Sequence, residues 1–317
     1  MSEEVPYSGA AEREAGAVIG ALQGERFAYV LMAAAPAMFA TNILVARAKV
    51  EVIPPVALAV GRWTLAALIL LPFVGKALWS SRAAIRRELG DLLVLGALGM
   101  GVCGAVLYMG AAATSATNMG LIFSATPVVT VVVARLLYRE TMTPVQIAGV
   151  AVSLCGVLVI IAKGSADLLL GLRFAAGDLY TLIAVFSWSV YSTMLQHRPT
   201  ALGAAPRLAA TIVLGTLSLL PFLAIEAALY RQPPLEMSTL AVMLLLALAG
   251  IGAYQAYALI QSRLGANRTS LILYLVPIYN AVLAWMLLGE RLHAYHFAGA
   301  ALVLSGIYLA TRKARPR

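Results

Sequence analysis

Ten apolar runs of roughly membrane-spanning length, joined by short links, leave this chain few folds to choose from. They fall at 27–46, 54–74, 91–112, 117–137, 144–162, 178–196, 206–228, 239–260, 267–288 and 295–311. A helix needs about 20 mainly apolar residues to cross a bilayer. With 62% apolar residues and 12% charged, the chain lacks the polar surface a soluble domain needs. The expected fold is therefore an all-α membrane protein of ten transmembrane helices, with the lipid bilayer as its solvent.

The net charge of +9 is spread through the links rather than gathered on one face, which excludes nucleic acid as a partner. With the N-terminus in the cytoplasm, fifteen of the 23 Lys and Arg residues face that side and six the other. Positive residues stay inside, so both termini are expected in the cytoplasm and the chain in a bacterial inner membrane. Residues 1–24 are acidic rather than basic. They read as a cytoplasmic tail and not as a secretory signal.

A shift of 150 residues lays Pro127 on Pro277, Glu140 on Glu290, Gly149 on Gly299 and Gly156 on Gly306. A shift of 149 lays Leu71-Pro72-Phe73 on Leu220-Pro221-Phe222. The chain thus divides into repeats at 25–163 and 175–313, each with five segments. An odd number of crossings makes the second repeat enter from the opposite side, giving two inverted five-helix repeats. That architecture is associated with alternating access.

Two stretches carry a family resemblance. Ala116–Ala162 holds Thr126-Pro127, Arg139-Glu140, Gly149 and Gly156. Ala266–Leu309 holds Val276-Pro277, Gly289-Glu290-Arg291-Leu292, Gly299 and Gly306. The pattern resembles the EamA family of the drug/metabolite transporter superfamily, as does Pro54-Pro55 followed by Arg62. The first repeat departs in having Tyr138-Arg139-Glu140-Thr141 where Gly-Glu-Arg is usual. The resemblance implies ten helices, cytoplasmic termini and movement of small metabolites, often outward. It does not fix the substrate.

Pro127 and Pro277 sit inside the fourth and ninth runs. Each removes a backbone donor, so the expectation is two symmetry-related kinks flanking a central site. Arg62 is the clear ionisable group well inside a run. It reads either as an anchor for a carboxylate or phosphate or as a structural bridge. Thr41, Asn42, Tyr108, Trp188, Tyr191, Ser192, Tyr254, Tyr257, Tyr274 and Asn280 are the remaining candidates to line a substrate cavity. The alternative for these is hydrogen bonding between helices. Glu140 and Glu290 follow the fourth and ninth helices, where each reads as a helix cap, as a partner for a nearby Arg, or as a latch at a gate. No Asp or Glu falls at mid-membrane, which argues against proton exchange for cationic drugs. Glu290, His293 and His296 have a metal-like spacing, but the first repeat has no counterpart histidines, so neither a metal nor a cofactor is expected.

The function expected is a secondary transporter, an exporter of a small molecule such as an amino acid or derivative, working as a monomer or homodimer. A polytopic membrane enzyme and a channel are the competing classes. The chain offers neither a nucleophile elbow nor a selectivity-like loop.

Overall fold

The computed structural model describes residues 30–31, 34–49, 51–139, 143–165, 167, 175–230 and 236–310. Among them there is helix and no strand. Helix α1 covers 34–49, α2 Pro55–Ser80, α3 Arg82–Arg87 and α4 Leu89–Gly96. A π-helical turn, Ala97–Val102, leads into α5, Cys103–Ala113. There follow α6 (Ala116–Phe123), α7 (Thr126–Tyr138), α8 (Pro144–Ile161), α9 (Ala176–His197), α10 (Ala204–Leu229), α11 (Met237–Leu288) and α12 (Ala294–Ala310).

Five described stretches are long and apolar enough to cross a membrane: Pro55–Ser80, Leu89–Ala113, Ala116–Tyr138, Ala204–Leu229 and Met237–Ile260. Pro144–Ile160, Ile278–Leu288 and Ala294–Gly306 are shorter apolar helices. Large apolar side chains such as Phe73, Leu136, Leu229 and Leu287 stand out on the surface. A surface so apolar is stable against lipid and not against water. This is an integral membrane protein.

Contacts between the halves come in matched sets. Helix α2 packs on α10, α8 on α12, and α6 on α11. Helix α5 packs on α9, and α1 meets α11 through Ala35, Ala256, Tyr257 and Ile260. The closest approaches use glycine. A Cβ on Gly96 would lie 2.6 Å from the Gly215 nitrogen and the Thr211 oxygen, so α4 and α10 touch backbone to backbone. A Cβ on Gly156 would lie 2.7 Å from the Val303 nitrogen, and α8 and α12 do the same.

Two expectations change. Around Pro127 the Ala116–Tyr138 span is interrupted by a two-residue turn, Ser124-Ala125, whose backbone stays right-handed helical, and Pro127 lies in the first turn of α7. Proline is at home there because its missing N–H would be unpaired anyway. The freed carbonyls find local donors: Ser124 Oγ donates to the Leu121 oxygen at 2.6 Å, and Thr126 Oγ1 donates to the Phe123 oxygen. The equivalent positions in the second repeat are Tyr274 and Val276, neither with an aliphatic hydroxyl, and α11 runs through position 277 unbroken.

The second change is α11 itself. Its 52 residues merge the eighth and ninth runs, where a break was expected between 260 and 267. That link, Gln-Ser-Arg-Leu-Gly-Ala, contains no proline, and its one glycine is not enough to end a helix. At the far end Gly289 adopts φ 65°, the left-handed stop that glycine takes without strain. Arg139 holds the equivalent place after α7 with φ 56° and bears the Cβ penalty.

Candidate functional site

The π-helical turn organises the centre. Three successive carbonyls in it accept side chains from three different helices. Ser187 Oγ of α9 donates to the Leu98 oxygen at 2.9 Å, and Tyr254 OH of α11 to the Gly99 oxygen at 2.9 Å. Trp63 Nε1 of α2 donates to the Met100 oxygen at 3.1 Å. A widened turn takes carbonyls out of the regular ladder, and these side chains satisfy them.

Arg62 lies beside this turn, 4% exposed. Its Nη1 donates to Asn42 Oδ1 at 2.6 Å, an oxygen that also accepts from Tyr108 OH at 3.3 Å. The guanidinium carbon is 4.1 Å from the Trp63 ring centroid and 4.9 Å from that of Tyr108. Its Nε is buried without an acceptor, and no carboxylate among the described residues pairs with it. A buried cation held only by a neutral amide and two rings lacks a counter-ion.

Arg62 borders a chamber of about 40 Å3 lined from both repeats, by Asn42, Cys103 and Phe123 on one side and Trp188, Tyr254 and Val276 on the other. Trp188 Nε1 is also buried without an acceptor. Beyond Trp188 and Tyr254 lies a vestibule of about 350 Å3, walled by Tyr191, Tyr257, Gln196, Thr200, Arg207 and Thr211 among others. Trp188 and Tyr254 border both spaces and meet edge to face at 5.1 Å, so this ring pair is the partition. Phe39 and Tyr191 brace Trp188 at 5.6 and 5.3 Å.

Carboxylates tie the two repeats together at their ends. Glu290 accepts from Ala116 N at 2.8 Å, Thr117 N at 3.0 Å and Thr117 Oγ1 at 2.7 Å, capping the N-terminus of α6. Glu226 accepts from Val56 N at 2.9 Å and Ala57 N at 2.8 Å, capping α2. Glu88 accepts from Thr200 Oγ1 at 2.7 Å and Ala201 N at 2.9 Å beside the vestibule mouth. Desolvation by burial would raise the Glu88 pKa. The Ala201 N–H, the Thr200 hydroxyl and the Arg207 charge outweigh it and hold the carboxyl below its ordinary value. Near Glu290, Asp178 Oδ1 accepts from Thr114 Oγ1 at 2.6 Å and Asn118 Nδ2 at 3.4 Å. His296 Nδ1 accepts from His293 N at 3.0 Å, so its Nε2 carries the proton and donates to Asn118 Oδ1 at 3.0 Å.

The profile of the EamA-like transporter family matches residues 26–162 and again residues 175–312. The chain belongs to this family. Its relatives include YyaM, an uncharacterized transporter of Bacillus subtilis, 25% identical over 81% of this chain and 84% of that one. A probable amino-acid metabolite efflux pump of Salmonella typhimurium is 30% identical over 60% of this chain and 65% of its own. A probable terminal-alkyne amino-acid exporter of Streptantibioticus cattleyicolor is 29% identical over 72% and 74%. A solved crystal structure covers 90% of this chain and 96% of its own with a TM-score of 0.55. At 19% identity that likeness is one of fold alone.

Within this EamA fold, Asn42, Arg62, Trp188 and Tyr254 line the chamber, Tyr108 stacks on Arg62, and Tyr191 and Tyr257 line the vestibule. Other candidates fall elsewhere. Thr41 donates to the Ala37 oxygen of its own helix at 2.8 Å, and Ser192 to the Ser189 oxygen at 3.2 Å. Phe123, and not Pro127, reaches the chamber. Asn280 packs against Gly120 outside it, with both amide atoms buried and unbonded. The side chains of Tyr274 and Pro277 and the whole of Glu140 lie outside the described residues. Glu290 caps α6 and not the helix that follows it. With Glu290 on α6 and His296 on Asn118, these two are occupied by hydrogen bonds, and the described residues hold no metal-ligand cluster. Sequence reading missed Trp63 and Arg207. Trp63 sat beside Arg62 with no signal of its own, and Arg207 looked like one more positive residue in a cytoplasmic link.

Proposed function

We propose that this chain is an exporter of a small carboxylate-bearing metabolite, an amino acid or a derivative of one, working by alternating access. The observation that carries this reading is Arg62, a buried cation with no counter-ion among the described residues, in a chamber lined from both repeats. Its free Nε and the free Trp188 Nε1 are two donors awaiting an acceptor. A carboxylate supplies two oxygens in the plane a guanidinium favours. The aromatic partition and vestibule then take the apolar part of the substrate. Export rests on the relatives, two of which are named for outward movement of amino-acid compounds.

The matched contacts of α2 with α10, α8 with α12 and α6 with α11 support two inverted repeats. The reading of ten spans counts α11 as two crossings. At 1.5 Å per residue its 52 residues reach about 78 Å, against a hydrocarbon core of about 30 Å. The excess of positive residues on one side supports a cytoplasmic vestibule mouth, with Arg198 and Arg207, and an outer Glu290 latch.

Purified protein in liposomes, loaded with a panel of amino acids and their derivatives, tests this directly. Carboxylates should leave and Arg62→Gln should abolish their exit while Arg62→Lys retains part of it. Unchanged exit with Arg62→Gln overturns the assignment of Arg62. A panel in which nothing moves overturns the transport reading.

A further inference from the structure

The chamber holds Arg62 and the vestibule wall holds Arg207, and among the described residues neither lining includes an Asp or Glu. The stretch 261–275, whose side chains lie outside the description, contains no acid either. Arg207 donates to the Leu195 oxygen at 3.1 Å and the Arg198 oxygen at 3.4 Å, and its Nε is buried without an acceptor. Glu88 and Asp91 both act on the Arg207 charge at the vestibule mouth, but Glu88 is engaged by Thr200 and Ala201 and Asp91 by Arg198 at 3.7 Å. The acids nearest the other end, Asp178 and Glu290, are held by Thr114, Asn118 and the α6 N-terminus.

We infer that the substrate is a net anion, an amino acid derivative whose amine is masked, and that it leaves by uniport driven by the membrane potential. This rests on the carboxylate-exporter reading above. The argument is charge balance in a low-dielectric space. Arg62 with a monoanion is neutral. Arg62 with a free amino acid keeps a net positive charge, and Arg62 with an amine doubles it. Uncompensated charge in such a space is strongly unfavourable. The aromatic rings of Trp188, Tyr191 and Tyr254 already face one another at 5.1 to 5.9 Å, so their packing is directed inward. Arg207 collects the anion at the mouth, and Arg62 receives it beyond the Trp188–Tyr254 partition.

Energy for export follows from the same balance. Among the described residues, neither lining contains a carboxylate that could carry a proton in exchange. A monoanion needs none. An inside-negative potential of 100 mV shifts its outside-to-inside ratio about 50-fold, since one charge across that potential is worth about 2.3 kcal/mol.

The test uses full-length protein in liposomes loaded with matched sets built on alanine, leucine and phenylalanine. Each set holds the N-acetyl acid, the free amino acid and the decarboxylated amine. Valinomycin and a potassium gradient set the potential at constant pH. The expected result is preferential exit of the N-acetyl acids, with a final ratio moving about 50-fold per 100 mV and no response to a pH gradient. Arg207→Gln should raise KM for N-acetylphenylalanine on the order of tenfold at unchanged kcat, and Arg207→Lys should restore it. Faster exit of the free amino acids, or a ratio set by the pH gradient, overturns this inference and leaves carboxylate export standing. Exit of amines alone, or of nothing, overturns both. Equal loss in Arg207→Gln and Arg207→Lys makes that residue a cap on the α9 carbonyls and removes it from the path.

Discussion

Replacing Glu290 by Gln isolates one carboxylate that joins the end of α11 to the start of α6. The wild-type group accepts two backbone N–H bonds and one hydroxyl bond, at 2.7 to 3.0 Å. Gln keeps one oxygen and turns the other into a donor facing a donor. A hydrogen bond to a charged group contributes about 1.5–3 kcal/mol, and the charge at a helix N-terminus adds up to about 2 kcal/mol in a partly buried site. Partial exposure of Glu290 and repacking reduce the sum, leaving an expected loss of about 3 kcal/mol for the contact between α11 and α6. If opening is local, that loss raises the open population by about 100-fold. The assay is labelling of a cysteine at Ala116, fully buried in the closed form, by a membrane-impermeant maleimide on a Cys155→Ser background. Glu290→Gln should speed labelling by at least tenfold, while the melting temperature in detergent falls by only a few degrees. Unchanged labelling would refute the latch. Faster labelling with a collapse of the melting transition would make Glu290 a fold determinant instead.

Three other substitutions follow from local geometry. Arg139→Gly relieves a left-handed residue at φ 56° and should raise stability by about 1 kcal/mol, read as a higher melting temperature. Gly96→Ala puts a methyl 2.6 Å from the Gly215 nitrogen and should cost about 2–3 kcal/mol by overpacking; a neutral melting temperature would mean α4 and α10 separate freely. The Glu88 pKa lies below its ordinary value of 4.5. A depressed folded pKa adds stability above the ordinary value, and this is lost as pH falls through the folded one. The stability gap between wild type and Glu88→Gln should therefore be full near neutrality and close below pH 4.5.

What the sequence revealed and what it hid divide by range. The apolar runs, the repeat and Arg62 are local or periodic, and a spanning helix writes them directly into composition. Glu290 and Ala116 are 174 positions apart, and nothing near either residue names the other. The local shape at Pro127 depends on Ser124 and Thr126, whose hydroxyls take up the carbonyls freed at the turn, and that was not legible from the proline alone. Arg62 was legible as a charge in the wrong solvent, but its lack of a counter-ion needed the packing of α1, α2 and α5. Gly96 lets α4 meet α10, and Gly99 in the π-helical turn both packs closely on Tyr191 and offers its carbonyl to Tyr254.

That turn connects substrate binding to the partition, and a double-mutant cycle can measure the connection. Tyr254 OH holds the Gly99 carbonyl and lines both spaces; Trp63 Nε1 holds the adjacent Met100 carbonyl and lies under the Arg62 guanidinium. Trp63→Phe leaves one buried carbonyl bare, a cost of about 1–3 kcal/mol, and Tyr254→Phe does the same to its neighbour. If the two sites were independent, the double variant would lose the sum. If the turn tightens to an ordinary helix once its outside donors are gone, both carbonyls return to the backbone ladder together. The second loss should then be smaller than the first, with a coupling of at least about 0.5 kcal/mol in the melting free energy. The same tightening would withdraw Tyr254 from the partition, so the double variant should bind carboxylate more weakly than either single one. Strict additivity in both measurements would show that the π-helical turn is a passive spacer and that Arg62 and the partition move separately.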